Sequence, residues 1–550
     1  MAAAEIEGSV AQRRGGLRHL FVALSLANLI FYPVWQEALH YANEYYYDAP
    51  AADRAILAAA LDVLLLTAVL WAGSHLAGRS EGSLLHRLAR AAFLAALLIP
   101  LNHVRTNLDE ALAGGPVGLA GKAAIVLAAL GILAGIWLTL RGSERPSRAA
   151  QIALLIFLPY AVMTFGQGAW VVLGGRDSLY EPTALAEPAT STTAAERPRV
   201  LWIIFDQLDQ ELTFETRPDD VSLPAFDALR QESFAADQAY APAGWTIVSI
   251  PALLTGRLVA RAEPSSANSL WLRFADQDEP ERWGRQPNVF SRARERQLDA
   301  ALVGNYHPYC RILSGDLASC YSVSYRQGVP EPCGSVPCEG VRHVVGLVYR
   351  LPLMDRLPVI RRGYQAWNEA PADDEARAGA LRYETIHARA LALAADPEID
   401  LVFAHYPVPH GPNVFNRRAD RFLRPGETAD RFDNMVLADH ALAELRSTLV
   451  RSGLWERTAV IVSADHGEKD MPALALDAQG NRIDRRVPFI VKLPFRTAPV
   501  RYGQEMNTIV TQDLVLALLD GGIVDEAELS RWIEEHSTFG KSPVFPGNSG

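Results

Sequence analysis

Up to residue 175 the chain is written in long apolar runs, and from residue 199 in short ones. The long runs cover residues 17–35, 55–76, 84–101, 122–140 and 150–173. Each approaches the roughly 20 residues that a helix needs to cross a hydrocarbon layer of about 30 Å. They show few polar stripes, which a buried soluble bundle would need. A secretory signal would explain only the first. The pattern predicts a five-helix transmembrane domain over residues 1–175. Residues 176–198, small, polar and proline-bearing, read as a linker. From 199 to 550 short buried strands alternate with helical patterns, which predicts an α/β domain with a mostly parallel central sheet.

Composition sharpens this division. Lysine and arginine number 52 against 63 acidic residues, a net charge of −11, which disfavours nucleic-acid binding. Hydrophobic residues make up 49% and charged residues 21%, which excludes a disordered chain. The mean hydropathy of +0.03 averages two textures. Arg13, Arg14, Arg18, Arg79, Arg87, Arg90, Arg141, Arg145 and Arg148 cluster on alternate connections, while Glu37, Glu44, Asp48, Asp53, Asp109 and Glu110 occupy the others. That asymmetry predicts a cytoplasmic N-terminus in an inner (cell) membrane and, after five spans, an extracytoplasmic second domain. Trp35, Tyr45, Tyr46, Tyr47 and Trp170 are expected at the outer interface. Asp62, inside the second run, is expected to face other helices.

All 4 cysteines, Cys310, Cys320, Cys333 and Cys338, fall in one stretch of the second domain. Their short spacings favour Cys310–Cys320 and Cys333–Cys338 disulfides in an oxidising compartment. A zinc knuckle is the alternative.

Three places carry candidate chemistry. The apolar run 200–205 ends in Asp206, at the strand end where open α/β sheets hold ligands; a helix cap is the other reading. The run 458–463 leads into Ala464-Asp465-His466-Gly467-Glu468, an oxygen–nitrogen pair suited to Zn²⁺ or Mn²⁺. Between them lies T-I-V-S-I-P-A-L-L-T-G-R, residues 246–257. Pro251 suits a first helical turn and Gly256 its end, so Thr246 is expected just ahead of a helix N-terminus that favours anions. It is either a capping residue or an activated nucleophile.

In this order the three segments resemble the alkaline phosphatase superfamily in its sulfatase-like branch. The resemblance covers about residues 198–525 and includes V-P-F-I-V-K-L-P at 487–494 and the helix bearing Asp513. Thr246 stands where sulfatases have the cysteine that becomes formylglycine, so sulfate hydrolysis by that route is not expected. The threonine and the five preceding spans are similar to membrane phosphoethanolamine transferases and lipoteichoic acid synthases. The resemblance implies a metal set of Asp206, Thr246, Asp465 and His466, holding Zn²⁺ or Mn²⁺ rather than Ca²⁺. It implies a substrate-binding histidine at His410, with His405 as the alternative, and His410 as proton donor to the leaving group. His307 and His440 read as structural. The activity implied is transfer of a phospholipid head group to a glycan or glycolipid through a phosphothreonine, with the bilayer and the lipid donor as partners. A hydrolase of phosphate, phosphonate or sulfate esters and an inactive membrane scaffold are the alternatives.

Overall fold

The computed structural model describes residues 2–39, 43–47, 53–78, 82–111, 116–175, 177–188, 198–325, 328, 333–368, 371–468, 486–494 and 498–537. Residues 176 and 189–197 of the expected linker lie outside this set.

Among the described residues, the N-terminal part is built of helices: α1 (Ala2–Ile30), α2 (Tyr32–Leu39), α3 (Asp53–Gly78), α4 (Leu84–Ala96), α5 (Leu98–Ala111), α6 (Pro116–Leu140), α7 (Arg145–Leu155) and α8 (Leu158–Val172). Three stretches, Asp53–Leu76, Leu84–Thr106 and Ala120–Leu140, are long and apolar enough to cross a membrane, and α1–α2 and α7–α8 form two further spans if each bent pair counts as one. The bends of 61° and 41° fall at Phe31 and at Ile156-Phe157, just ahead of Pro33 and Pro159, whose missing amides cannot continue the ladder across the break.

The second part is an α/β domain. Its elements used below are β1 (Arg199–Asp206), α9 (Pro224–Glu232), β2 (Phe234–Ala236), α10 (Thr246–Thr255), β3 (Ala300–Tyr306), β4 (Ser319–Ser324), α11 (Val336–Tyr349), α12 (Pro358–Asn368), α13 (Ala372–Ala395), β5 (Leu401–Pro409), α14 (Arg431–Arg451), β6 (Thr458–Ala464), β7 (Phe489–Lys492) and β8 (Val500–Tyr502). The eight strands lie in the order β8-β2-β7-β6-β1-β5-β3-β4, and only β7 runs antiparallel to its neighbours. β1 sits near the centre and is buried at every position. Val200, Trp202 and Ile204 enter the core layer on one face, while Leu201, Ile203 and Phe205 enter the layer on the other. Two covered faces explain why its sequence is continuously apolar rather than alternating. The parallel β6, β1 and β5 carry their carboxyl ends to one edge of the sheet, and the candidate site lies there. Both expected disulfides are formed, Cys310–Cys320 and Cys333–Cys338.

One expectation from the apolar half is corrected. Tyr45 does not lie in an interfacial belt: it is fully buried and belongs to the core of the α/β domain. Asp62 does face another helix, but one from the α/β domain: its carboxylate lies 3.1 Å from His343 on α11.

Candidate active site

Asp206 ends β1, His405 lies in β5, and Asp465 and His466 follow β6. Asp206, His405 and Asp465 each offer one ligand atom, all within 4.8 Å of one another, and all three are buried. His466 Nε2 is 3.6 Å from Asp206 Oδ1 and 3.5 Å from Asp465 Oδ2. The Thr246 hydroxyl lies 3.3 Å from the same nitrogen. His466 Nδ1 is 2.8 Å from the Gly467 carbonyl, so its N–H donates there and the Nε2 lone pair faces the carboxylates.

The helix bearing Thr246 begins earlier than Pro251 suggests. α10 starts at Thr246 itself and contains Pro251, with Val248 and Ser249 amides donating to the Trp245 carbonyl. Proline's fixed φ fits any helical position, and its missing amide costs a bond only to residue 247, so the proline marked the helix but not its first turn. The end is as expected, at Gly256 in the left-handed region with φ +67°. Ser249, one turn into α10, donates its hydroxyl to the Asp465 carbonyl and ties the helix to the β6 loop.

Asp465 is fixed by two amides: Oδ1 accepts from Gln207 N at 3.1 Å and from His466 N at 2.8 Å. Gln207 holds a positive φ of 68°, which turns its amide toward that carboxylate. Asp465 Oδ2 and His405 Nε2 are buried without a well-aligned hydrogen bond among the described residues. Buried acceptors of this kind are costly unless something satisfies them, and a divalent cation would satisfy both. The residues therefore fit a metal of the kind that oxygen and imidazole donors bind. Burial opposes ionisation of Asp465, but His466, His405 and the Gln207 amide outweigh it and hold the carboxyl below its ordinary range. Burial pushes the His405 imidazole down to about 4, against the pull of Asp465. It is thus neutral, as a ligand must be. His405 Nδ1 pairs with the Tyr309 hydroxyl at 2.8 Å, which orients Nε2 into the cluster. Expected as a substrate-binding alternative, His405 lies instead among the metal-competent groups.

His410 lies at the mouth. Its amide donates to the Asp206 carbonyl at 3.0 Å, and its Nδ1 donates to the Gly411 carbonyl at 2.8 Å. A small crevice beside it is lined by Asp206, Asn305, Tyr325, Arg382 and His410. Arg382, on α13, is a cationic wall that sequence patterning did not mark.

His307 is structural, though close to the chemistry. Its Nε2 is 3.2 Å from the Thr246 carbonyl, and its Nδ1 is 2.7 Å from the Tyr45 hydroxyl. A carbonyl can only accept, so Nε2 carries the proton and Tyr45 donates to Nδ1. Burial holds the ring neutral, with a pKa pushed down to about 3. Arg311 secures the same loop by donating to the Tyr45 and Tyr47 carbonyls. A loop of the apolar domain therefore buttresses the first residue of α10. His440 is remote, 3.7 Å from Asp420 on the surface.

Residues 383–520 match the Sulfatase family model. The α/β domain is sulfatase-like. The match contains His405, His410, Asp465 and His466, whereas Asp206 and Thr246 precede it. Among solved structures, the chain is similar to a phosphonate monoester hydrolase from Silicibacter pomeroyi, at 16% identity over 59% of this chain and 73% of that one, with a TM-score of 0.38. It is also similar to a sulfatase from Pseudoalteromonas sp., at 16% identity over 60% and 69%, with a TM-score of 0.41. A third is an alkaline phosphatase superfamily protein from Vibrio parahaemolyticus, at 14% identity over 62% and 71%, with a TM-score of 0.37. No curated protein matches the sequence.

Proposed function

We propose that this sulfatase-like chain is a metal-dependent membrane phosphotransferase. It moves a phospholipid head group, of the phosphoethanolamine or phosphoglycerol type, to a hydroxyl of an extracytoplasmic glycan or glycolipid. The observation that carries this reading is the Thr246 hydroxyl, held at a helix N-terminus 3.3 Å from His466 and beside two buried carboxylates. A threonine there cannot become formylglycine, but it is a competent nucleophile for phosphorus. Asp206, Asp465, His466 and Thr246, with His405 adjoining, would hold Zn²⁺ or Mn²⁺, which when bound lowers hydroxyl pKa values and neutralises phosphoryl charge.

The chain's own residues supply the rest. With its hydroxyl proton released to solvent, Thr246 Oγ attacks the phosphorus, the phosphorus–oxygen bond to diacylglycerol breaks, and His410 gives the departing oxygen its proton. The α10 N-terminus and Arg382 stabilise the phosphoryl oxygens. The phosphothreonine is then attacked by the acceptor hydroxyl, which returns a proton to His410 and frees Thr246. The test is lipid and glycan analysis of a Thr246→Ala strain beside its parent. Loss of a head-group modification from one glycan class supports transfer. If purified enzyme releases the head group to water at the same rate with or without glycan, the activity is hydrolytic and transfer is refuted.

A further inference from the structure

α11 and α12 belong to the α/β domain in sequence, yet α11 packs on a span. Gly340 lies so close to α3 that a Cβ there would sit 2.7 Å from Asp62 Oδ1. One turn on, His343 Nδ1 is 3.1 Å from Asp62 Oδ2, with side-chain exposures of 6% and 11%. Leu347, a further turn along, joins the hydrophobic cluster of the apolar domain. Asn102 on α5 donates to the Arg350 carbonyl at 3.0 Å. The spacing 340, 343, 347 is one helix face, and that face belongs to α3.

The position along α3 fixes the surroundings. The span Asp53–Leu76 has 24 residues, about 36 Å of helix against a hydrocarbon layer of about 30 Å. Asp62 lies nine residues in, about 13 Å from the end nearer the α/β domain. At the same level α3 exposes Leu61, Leu64 and Leu65 by 43%, 52% and 56%, a surface for lipid rather than water. The face of α11 next to this contact, about 100° around the helix, is apolar too. Val341 and Val344 are 45% and 47% exposed, and Val348 continues the stripe at i+7.

We infer that α11 is embedded in the leaflet next to the α/β domain, with α3 on one side and phospholipid acyl chains on the valine stripe. The sulfatase-like domain then grips the bilayer with a helix of its own, stapled at its start by Cys333–Cys338. The Asp62–His343 pair satisfies two polar groups at a depth where neither finds water. Arg342 and Arg350 lie 3.7 Å and 3.6 Å from Glu37, so the cations at these two positions have an anionic partner.

The test is collision accessibility of a nitroxide on the full chain in phosphatidylethanolamine–phosphatidylglycerol nanodiscs. Val344→Cys and, separately, Val341→Cys carry the label, and Val450→Cys on α14, where Val450 is 55% exposed, is the aqueous reference. The native cysteines are paired and do not compete for the label. Oxygen collisions should exceed those of a water-soluble nickel chelate several-fold at 341 and 344, with the ratio reversed at 450. Nickel accessibility at 341 and 344 equal to that at 450 would overturn the inference. The readout does not depend on catalysis, so it stands apart from the proposed transferase activity.

Discussion

Thr246 works only as one member of a set, because its hydroxyl is aimed by groups from three other parts of the chain. Thr246→Ala should reduce turnover by about a thousandfold or more while metal affinity falls far less, since three ligands remain. Thr246→Ser should keep measurable activity. Steady-state kinetics with metal analysis of the same preparations checks both. Tyr45→Phe removes only the donor that fixes the His307 ring. A hydrogen bond of about 1 kcal/mol corresponds to about a fivefold effect, expected in kcat with KM unchanged; unchanged kcat would show that the buttress does not position Thr246. That Asp206, Thr246, Asp465 and His466 gather at one sheet edge was legible because each ends an apolar run or opens a glycine-bounded helix. His405 as a metal-competent group, Tyr309 and Tyr45 were not. Their partners lie 96 residues away for the Tyr309–His405 pair and 262 for Tyr45–His307, and no local pattern encodes such pairings.

Elements show the same division between local and distant causes. β1 was readable as a doubly buried strand, whereas the start of α10 was misplaced because Pro251 fits a helix interior as well as a first turn. α9 gives a pH-dependent test. Asp439 on α14 accepts from the Ala225 and Phe226 amides at 3.2 and 2.9 Å and so caps the first turn of α9. Burial outweighs those amides and His440, with Asp227 adding to it, and raises the Asp439 pKa from 3.8 to about 6. A carboxyl whose pKa rises on folding stabilises the fold below its unfolded pKa and loses that contribution as pH rises through 6. The difference is about 2–3 kcal/mol between pH 4 and 8. Urea unfolding followed by tryptophan fluorescence should show Asp439→Asn gaining on the parent by that amount over this range. Parallel pH profiles would show that Asp439 does not titrate between the folded and unfolded states. The cysteine spacing was also informative, and non-reducing peptide mapping should find Cys310–Cys320 and Cys333–Cys338; free thiols in membrane-isolated protein would refute the pairing.

At the scale of the molecule, the change of texture near residue 175 announced two architectures, but not how they lock. Tyr45 enters the core of the sulfatase-like domain, and α11 returns from that domain to α3, so each half contributes to the other. Neither insertion has a hydropathy signature: Tyr45 sits in an aromatic cluster suited to an interface, and Asp62 reads as any polar residue in a span. We propose from the arginine asymmetry that the domain is extracytoplasmic; a reporter fused after Gly550 should be active only outside the cytoplasm. The covalent step is tested most directly by mass spectrometry of the tryptic peptide 231–257 after acid quenching of full-length enzyme incubated with phospholipid and no acceptor. A phosphorylated head group on Thr246, removed on adding the acceptor glycan, is the predicted result. Turnover with Thr246 unmodified, or the label on another residue of the peptide, would contradict it.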